Sequence, residues 1–240
     1  ALMHITSRVK ALLPHACLIL GGPEFLGENE PFLRRNPFVD CVFRGEGEEA
    51  FPRWLKVWNQ PEEWSTITGL CYLDANQQYQ DNGLARVLPF DQLVSPEKSE
   101  FFNWSKPFVQ LETTRGCFNT CAFCVSGGEK PVRTLSMEAI RQRLEIIHQH
   151  GIKNVRVLDR TFNFNPRRAK ELLQLFQEFH PHIRFHLEIH PALLSEDLKT
   201  ELQQLPEGLL HLEAGIQSLR EPALEKCKRL GKLNDALEGL

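Results

Sequence analysis

Three cysteines lie close together near the middle of the chain, at Cys117, Cys121 and Cys124. Their spacing is C-x₃-C-x₂-C, and no fourth cysteine lies nearby. Structural zinc sites and electron-transfer iron–sulfur clusters normally use four protein ligands. Three thiolates alone therefore predict a cluster with one iron left open to a ligand that is not part of the protein.

The sequence around these cysteines predicts an alternating series of strands and helices that must position them. Predicted strands cover residues 108–112, 155–159, 184–190 and 209–214. The helices between them have start signals at Ser136, Asn165-Pro166 and Ser195, and a last helix begins near Pro222. Four βα units in a row predict a barrel or part of one, with its chemistry at the carboxyl ends of the strands. The cysteine loop follows the first of these strands, so it falls on that face.

Alternation along the third and fourth strands separates an apolar face from a polar one. Phe185, Leu187 and Ile189 share the face that we expect to meet the outer helices. The inward positions are polar: His186, Glu188, His190, His211 and Glu213. Inward polar side chains predict a ligand or a hydrogen-bonded network. A metal held by His186, Glu188 and His190 is the alternative interpretation.

Residues 1–60 also alternate between helix and strand. Strands at 18–20 and 39–43 lead into Gly21-Gly22 and Gly45-Glu46, and in an open α/β sheet ligands bind beyond such carboxyl ends. The next helix is predicted to turn Phe51, Trp54, Leu55 and Trp58 towards the core. Residues 61–106 are rich in proline and amide side chains. They are interpreted as a linker in which 66–73 could form a hairpin with 84–88.

The composition of the chain excludes several classes of protein. The chain has 240 residues, 42% hydrophobic and 25% charged, with a formal net charge of -3, which indicates a soluble globular protein without a nucleic-acid footprint. No apolar run approaches the roughly 18 residues of a membrane span, and the sequence shows no signal-peptide pattern. Seven cysteines in a mixed α/β chain favour a reducing cytoplasm over a disulfide framework. Both ends fall inside predicted helices, which predicts a piece of a longer protein.

Several motifs resemble one protein family. The run Arg115-Gly116-Cys117-x₃-Cys121-Ala122-Phe123-Cys124 resembles the signature of the radical S-adenosylmethionine (SAM) superfamily. The run 212–218 looks like the segment after that family's fourth strand. Gly21-Gly22-Pro23 and the run 42–48 look like the back half of the cobalamin-binding domain found in one subgroup. The predicted fold is thus α/β: a partial doubly wound, cobalamin-binding-like domain (1–60), a linker (61–106) and a partial TIM-type radical SAM barrel (107–240).

The resemblance implies a function and a set of cofactors. The three cysteines would hold a [4Fe–4S] cluster whose fourth iron binds SAM, and reductive cleavage of SAM would give a 5′-deoxyadenosyl radical acting on an unknown substrate. Cobalamin would assist methyl transfer or rearrangement. The electron would come from a donor such as a flavodoxin or ferredoxin. Expected SAM contacts are Glu188, Glu213, Asp159, Gln217 and Ser218, and expected cobalamin contacts are Gly21, Gly22, Gly45 and Glu46.

Alternatives to this interpretation differ in class. The cysteines could form a structural zinc site completed by a distant His or Cys, or a non-catalytic iron–sulfur module. The front domain could have lost cobalamin binding and serve as a scaffold, in which case Gly21-Gly22 and Gly45-Glu46 are only tight turns. Gly127-Gly128-Glu129 matches a SAM-binding tripeptide of the family out of place, and is interpreted as a chance match.

Overall fold

The computed structural model describes residues 1–126 and 129–240. The chain divides into two compact units, Ala1–Pro89 and Phe90–Leu240. Gly127 and Gly128 lie outside the described residues, so the chance match that includes them has no structural description. A helix able to span a bilayer is not found in the described ranges.

The N-terminal unit contains three α-helices and four short strands among its described residues. In chain order they are α1 (Leu2–Leu12), β1 (Ile19–Leu20), α2 (Glu30–Arg35), β2 (Cys41–Phe43), α3 (Gly47–Leu55), β3 (Leu70–Leu73) and β4 (Tyr79–Asp81). The sheet order is β1-β2-β3-β4. β1 and β2 are parallel, as predicted, whereas β3 and β4 are added antiparallel. The sheet is therefore mixed.

The structure corrects the interpretation of residues 61–106 as a linker. β3 and β4 complete the N-terminal sheet, and the division between the units falls after Pro89. Leu70 and Cys71 are fully buried, so this segment supplies core that two short strands cannot provide. The hairpin partner is β4 rather than 84–88. The Asp74 carboxylate closes a tighter turn by accepting the N–H groups of Asn76 and Gln78, both at 2.9 Å.

Only one of the four apolar side chains that were predicted to turn from α3 towards the core is buried. Trp54 is buried at 3% exposure, but Phe51, Leu55 and Trp58 are 40%, 49% and 45% exposed. The helix ends at Leu55, so Trp58 lies beyond the helical repeat on which the prediction rested. Phe51 stacks on Trp54, with ring centroids 5.9 Å apart.

The C-terminal unit has the predicted βα rhythm. Its strands and helices are β5 (Val109–Leu111), β6 (Thr114–Arg115), β7 (Arg133–Thr134), α4 (Met137–Gln149), β8 (Asn154–Val157), α5 (Pro166–Gln177), β9 (Arg184–Ile189), α6 (Glu196–Gln203), β10 (Leu210–Ala214), α7 (Glu221–Lys226) and α8 (Leu233–Glu238). The main sheet has the order β10-β9-β8-β5, and all its pairs are parallel. β6 and β7 form a separate two-stranded sheet.

The predicted helix starts are confirmed. Ser136 Oγ accepts the N–H of Ala139 at 3.3 Å, and Ser195 Oγ accepts that of Leu198 at the same distance. Asn165 Oδ1 accepts the N–H of Arg168 at 3.2 Å. Each side chain satisfies a backbone donor that the first helical turn leaves free.

The core of this unit lies between the parallel sheet and helices α4 to α6. Phe185 and Leu187 are fully buried, and Phe185 stacks on Phe176 of α5 with ring centroids 4.0 Å apart. This confirms the predicted outward apolar face of β9. On β10 the prediction holds less well, because Leu212 is 39% exposed. β10 is the last strand in the sheet order, so only one neighbouring strand shields it.

Candidate functional site

The cysteine loop begins just beyond the carboxyl end of β5 and is closed at its base by the β6–β7 pair. Gly116 has a φ of 100°, and a Cβ there would lie 2.5 Å from the carbonyl oxygen of Glu129. The backbone N–H of Cys117 donates to the same carbonyl at 2.9 Å. A side chain at 116 would therefore collide with the returning chain, and glycine is required.

The three cysteines differ in exposure. Cys117 and Cys121 are buried at 9% and 8% exposure, while Cys124 is exposed. The N–H of Cys124 donates to the carbonyl of Cys121 at 3.1 Å, so the last two thiols share one turn. Burial raises the pKa of Cys117, and the nearby thiols of Cys124 and Cys121 raise it further. Metal binding favours the thiolate instead, because the thiolate is the ligand.

The donor set fits an iron–sulfur cluster with an open iron. All three thiols come from one loop at the carboxyl end of the parallel sheet, and no other side chain between Cys117 and Cys124 is of the kind that holds an iron–sulfur cluster. Within the described ranges, no three His, Cys, Asp or Glu side chains are grouped to hold a metal ion. That finding covers the alternative set of His186, Glu188 and His190, and it covers the three cysteines as well. The fit therefore rests on the number and type of the ligands and not on the positions of the thiols.

Asp159 fastens the start of the loop instead of facing open space. Its side chain is almost fully buried at 1% exposure. Oδ1 accepts the backbone N–H groups of Thr113 and Thr114 at 2.9 and 2.8 Å, and Oδ2 accepts the hydroxyl of Thr113. Burial raises the pKa of Asp159, and these hydrogen bonds oppose the rise. The structure therefore gives this predicted SAM contact a positioning role at the base of the loop.

Two further anchors hold the loop, and sequence reasoning missed both. Arg168 Nη2 donates to the carbonyls of Thr113 and Leu135 at 3.2 and 2.8 Å, which ties α5 to both ends of the hairpin. Asn119 Oδ1, inside the loop, accepts the N–H of Leu230 at 3.3 Å. Arg168 lies on a regular helix and Leu230 is 111 residues from Asn119, so no local pattern indicates either contact.

Glu188 and Glu213 lie side by side on the inner face of the sheet. They are register partners on β9 and β10. Arg156 of β8 contacts both, at 3.2 Å to Glu188 Oε1 and 3.6 Å to Glu213 Oε2. His186 Nε2 lies 3.0 Å from Glu213 Oε2. The two predicted SAM contacts are thus brought together, in a part-exposed network of one arginine, one histidine and two carboxylates.

Gln217 and Ser218 lie in the turn after β10. Gln217 is exposed and has a φ of 72°, in the left-handed region. Ser218 Oγ accepts the N–H of Arg220 at 3.1 Å, so it shapes the turn before α7. Arg229 Nη2 donates to the carbonyl of Gly215 at 2.5 Å. These two predicted SAM contacts are at the carboxyl end of the sheet, and the Ser218 hydroxyl is engaged locally.

His190 directly follows β9, and its ring is enclosed. The residue is 3% exposed. Both ring nitrogens are buried, and neither has a hydrogen-bond partner among the described residues. Its backbone is clamped by Asn163, which accepts the His190 N–H at 2.8 Å and donates to the His190 carbonyl at 2.9 Å. Burial and the positive charge of Arg229 lower the pKa of His190 to about 4, so the imidazole is neutral at pH 7.

In the N-terminal unit the predicted cobalamin contacts separate into two kinds. Gly21 and Gly22 are exposed at the carboxyl end of β1, and nothing lies within 4 Å of a Cβ built on Gly22. A Cβ on Gly45 would lie 2.3 Å from the carbonyl oxygen of Ala85. Glu46 Oε2 accepts the N–H of Val87 at 2.8 Å. The open backbone at Gly21-Gly22 fits the close approach of a large flat cofactor, whereas Gly45 and Glu46 are engaged in packing.

The parallel βα sheet, with a three-cysteine loop after its first strand, defines part of a TIM-type barrel. The model of the radical SAM superfamily matches residues 111–240, which is more than half of the chain. The chain belongs to the radical SAM superfamily.

Curated relatives include several methyltransferases. The chain is 30% identical over 170 residues to an uncharacterized methyltransferase of Pyrococcus horikoshii, covering 67% of this chain and 37% of the relative. It is 24% identical over 178 residues to the 2-(S-pantetheinyl)-carbapenam-3-carboxylate methyltransferase of Streptantibioticus cattleyicolor, covering 69% and 26%. With the hopanoid C-3 methylase of Methylococcus capsulatus it shares 23% over 243 residues, covering 98% and 46%. The chain thus spans less than half the length of each.

Solved structures confirm the predicted fold class. The cobalamin-dependent SAM radical enzyme OxsB, with aqua-cobalamin and SAM bound, matches with a TM-score of 0.73 and 17% identity, covering 99% of this chain and 36% of that chain. TsrM from Kitasatospora setae, a radical SAM methyltransferase with cobalamin and a [4Fe–4S] cluster bound, matches with a TM-score of 0.73 and 18% identity, covering 97% and 49%. At this identity the likeness shows the fold alone.

Proposed function

We propose that this chain is part of a cobalamin-dependent radical SAM enzyme that transfers a methyl group. The observation that carries the proposal is the three-cysteine loop at the carboxyl end of β5, in a chain of the radical SAM superfamily. Methyl transfer, rather than rearrangement, is favoured by the curated relatives, which include methyltransferases and a methylase.

The residues of this chain would bind and orient the reacting groups. Cys117, Cys121 and Cys124 would hold a [4Fe–4S] cluster, which when bound and reduced supplies the electron that cleaves SAM. Glu188 and Glu213, already paired with Arg156, would accept hydrogen bonds from the amino group or ribose of SAM. Asp159 and Arg168 would keep the loop in place through their contacts with Thr113.

The cobalamin part of the proposal rests on the N-terminal unit. β1 and β2 are parallel, and the exposed glycines beyond β1 leave the backbone accessible. Gly21 and Gly22 are therefore the proposed contacts, and Gly45 and Glu46 would support the turn after β2. The structures of OxsB and TsrM, both with cobalamin bound, support this assignment through their fold.

The proposal also includes an electron donor and a compartment. Cys124 is the exposed cysteine, so a cluster held there would have one side open to a small redox protein such as a flavodoxin or ferredoxin. The free thiols and the need for a low-potential electron favour the reducing cytoplasm.

A non-catalytic metal module is the second candidate, and one observation favours it. The carbonyl of Cys227 accepts the N–H of Ala122 at 2.9 Å, which brings a fourth cysteine alongside the loop. Cys227 is half-buried. If its thiol turned towards the loop, four cysteines could close a zinc or iron–sulfur site. No iron would then be open to SAM.

Anaerobic reconstitution of the full-length protein separates the two candidates. We expect the wild type to bind a [4Fe–4S] cluster and, with SAM, cobalamin and reductant, to release S-adenosylhomocysteine or 5′-deoxyadenosine. Cys124→Ala should lose the cluster. Cys227→Ser is the matched control and should keep it, because the contact of residue 227 with the loop is made by its backbone. A tightly bound zinc that requires Cys227, without turnover of SAM, would favour the non-catalytic module.

A cobalamin titration of the same protein tests the front domain. The wild type should bind cobalamin, and Gly21→Leu should weaken binding at least about tenfold by covering the open backbone. A Cβ at Gly21 meets only ordinary contacts, 3.7 Å to Phe43 Cβ, so this variant should stay folded. Absence of cobalamin binding in the wild type would mean that the domain is a scaffold.

A further inference from the structure

A cleft runs along the free edge of β5 within the C-terminal unit. β5 ends the order of its sheet, so within the described residues this edge has no neighbouring strand. The cleft has a volume of about 550 Å³ and lies between β5 and the segment 96–106. This volume is in the range of small-molecule sites, about 300 to 1,000 Å³.

Large apolar side chains line the cleft and are left in solvent. Phe101 is 87% exposed, Phe108 is 42% exposed and Leu158 is 39% exposed. The neighbouring Phe102 is held by Trp104, with ring centroids 4.4 Å apart, and Trp104 stacks on His150 at 3.8 Å. The wall that carries Phe101 is therefore fixed. Exposed apolar surface of this kind commonly marks a binding site.

All but one of the charged side chains that line the cleft form an ion pair with a neighbour, and the exception is a lysine. Glu112 is bonded by the guanidinium of its neighbour Arg115, at 2.8 and 2.7 Å. Arg143 is paired with the buried Glu97 at 2.7 Å. Lys106 is exposed and makes no ion pair or hydrogen bond within the part of the chain that the structure describes. The cleft thus offers apolar walls and one uncompensated positive charge.

Two uncharged polar side chains, Asn103 and Gln110, also line the cleft. Asn103 Oδ1 already accepts the N–H and the hydroxyl of Ser105, at 3.0 and 2.7 Å. Gln110 lies on the inner face of β5, opposite Arg156 in the register, and lines the cleft between Phe108 and Glu112. Its side chain is exposed and can both donate and accept hydrogen bonds. Glu112 is followed directly by the threonines at the base of the cysteine loop, so the cleft ends beside the candidate site.

We propose that this cleft binds the substrate, and that the substrate is an apolar, ring-containing molecule with one anionic group such as a carboxylate. The rings would pack against Phe101 and Phe108, and the anion would be held by Lys106. Calling the ligand a substrate rests on the proposed function. The binding chemistry rests on the cleft alone.

The test uses a matched pair of ligands that differ only in charge. Dansylglycine has a naphthalene ring and a carboxylate, and dansylglycinamide replaces the carboxylate with a neutral amide. Equilibrium dialysis of the full-length protein, without reductant, should give saturable binding with a preference for dansylglycine of up to about fivefold, as expected for one exposed charge pair. Lys106→Gln should abolish the preference. Phe101→Ala should weaken both ligands about tenfold through lost ring contact.

Two substitutions on or just before the segment 96–106 serve as controls. Val94 is 84% exposed and Lys98 is exposed, and neither lines the cleft. Val94→Ala and Lys98→Gln should leave both affinities unchanged. The proposal is overturned if neither ligand binds saturably, if the controls act as strongly as the cleft variants, or if Lys106→Gln keeps the preference. Because no step requires SAM cleavage, this result is independent of whether the protein turns over SAM.

Discussion

The carboxylate of Asp159 accepts hydrogen bonds from both the backbone N–H and the hydroxyl of Thr113, a residue 46 positions earlier in the chain. The contact joins the carboxyl end of β8 to the carboxyl end of β5. It therefore fixes where the cysteine loop starts. Because this buried carboxylate accepts three hydrogen bonds, it holds the start of the loop in position. Substituting Asp159 tests that role without changing the cysteines.

Replacing Asp159 with alanine should destabilise the loop. The substitution would leave the buried N–H groups of Thr113 and Thr114 without their acceptor, and an unsatisfied buried donor costs about 1–3 kcal/mol. We expect Asp159→Ala to lower the protection of β5 against hydrogen exchange and to lower iron content after reconstitution. Asp159→Asn keeps an acceptor oxygen, so its hydrogen-exchange protection and iron content should fall less than those of Asp159→Ala. Equal protection and iron content in wild type and Asp159→Ala would show that the clamp does not position the loop.

Gly116→Ala tests the closure of the loop. The positive φ and the approach of Glu129 leave no room for a methyl group, and backbone strain of this kind costs about 1–3 kcal/mol. We expect the variant to fold but to bind less iron. Gly27→Ala is the control, because nothing lies within 4 Å of a Cβ at that position. A Gly116→Ala variant with full iron content would contradict the requirement for glycine.

Substitution of Glu188 should weaken SAM binding and leave the cluster intact. A charge-assisted hydrogen bond contributes about 1.5–3 kcal/mol, so Glu188→Gln should lower the affinity for SAM about tenfold or more. Glu213→Gln should act in the same direction. Glu207→Gln, at an exposed position outside the inner face, should leave affinity unchanged. Equilibrium dialysis of SAM against reconstituted protein measures the effect, and unchanged affinity in both variants would remove these two residues from the SAM site.

The burial of His190 predicts a pH-dependent stability. Its pKa is about 4 in the folded protein and near 6.5 in the unfolded chain. Between these values the unfolded chain binds more protons, so the free energy of unfolding falls as pH decreases. From pH 7 to pH 5 the loss should be about 2 kcal/mol. Denaturant-dependent hydrogen exchange of β9, corrected for the intrinsic effect of pH, measures it.

A matched pair of variants assigns that pH dependence. His190→Leu removes the titrating group and should make local stability at β9 nearly equal at the two pH values. His211→Gln changes an exposed histidine and should show the same change of stability with pH as the wild type. If His190→Leu loses as much stability from pH 7 to pH 5 as the wild type does, another group is responsible.

Sequence alone predicted the parts of the fold that depend on local patterns. The parallel strands of the C-terminal unit and the caps at Ser136, Asn165 and Ser195 follow from alternation and from the chemistry of helix starts. β3 lies within the predicted hairpin strand 66–73, but its partner β4 and its place in the N-terminal sheet were missed because the surrounding prolines and amides resemble a linker. Their pairing is decided by burial in the N-terminal sheet, which the local sequence does not encode.

The candidate cysteines could be selected from the sequence because they lie in one motif, and as metal ligands they stay a prediction. Contacts between distant segments could not be selected in this way. Asp159 was selected for its place at the end of a strand, and only the structure shows that its oxygens are engaged by threonines. The contact between Asn119 and Leu230 joins residues 111 positions apart, and the turn of Gly45 against Ala85 likewise depends on packing.

The central claim is a three-cysteine [4Fe–4S] cluster with one iron open to SAM. Its most direct test is electron paramagnetic resonance of the reduced, anaerobically reconstituted full-length protein, before and after addition of SAM. We predict a [4Fe–4S] signal that changes with SAM, is lost in Cys117→Ala, Cys121→Ala and Cys124→Ala, and persists in Cys227→Ser. A signal that does not respond to SAM, or that disappears in Cys227→Ser as completely as in the other three variants, would contradict it.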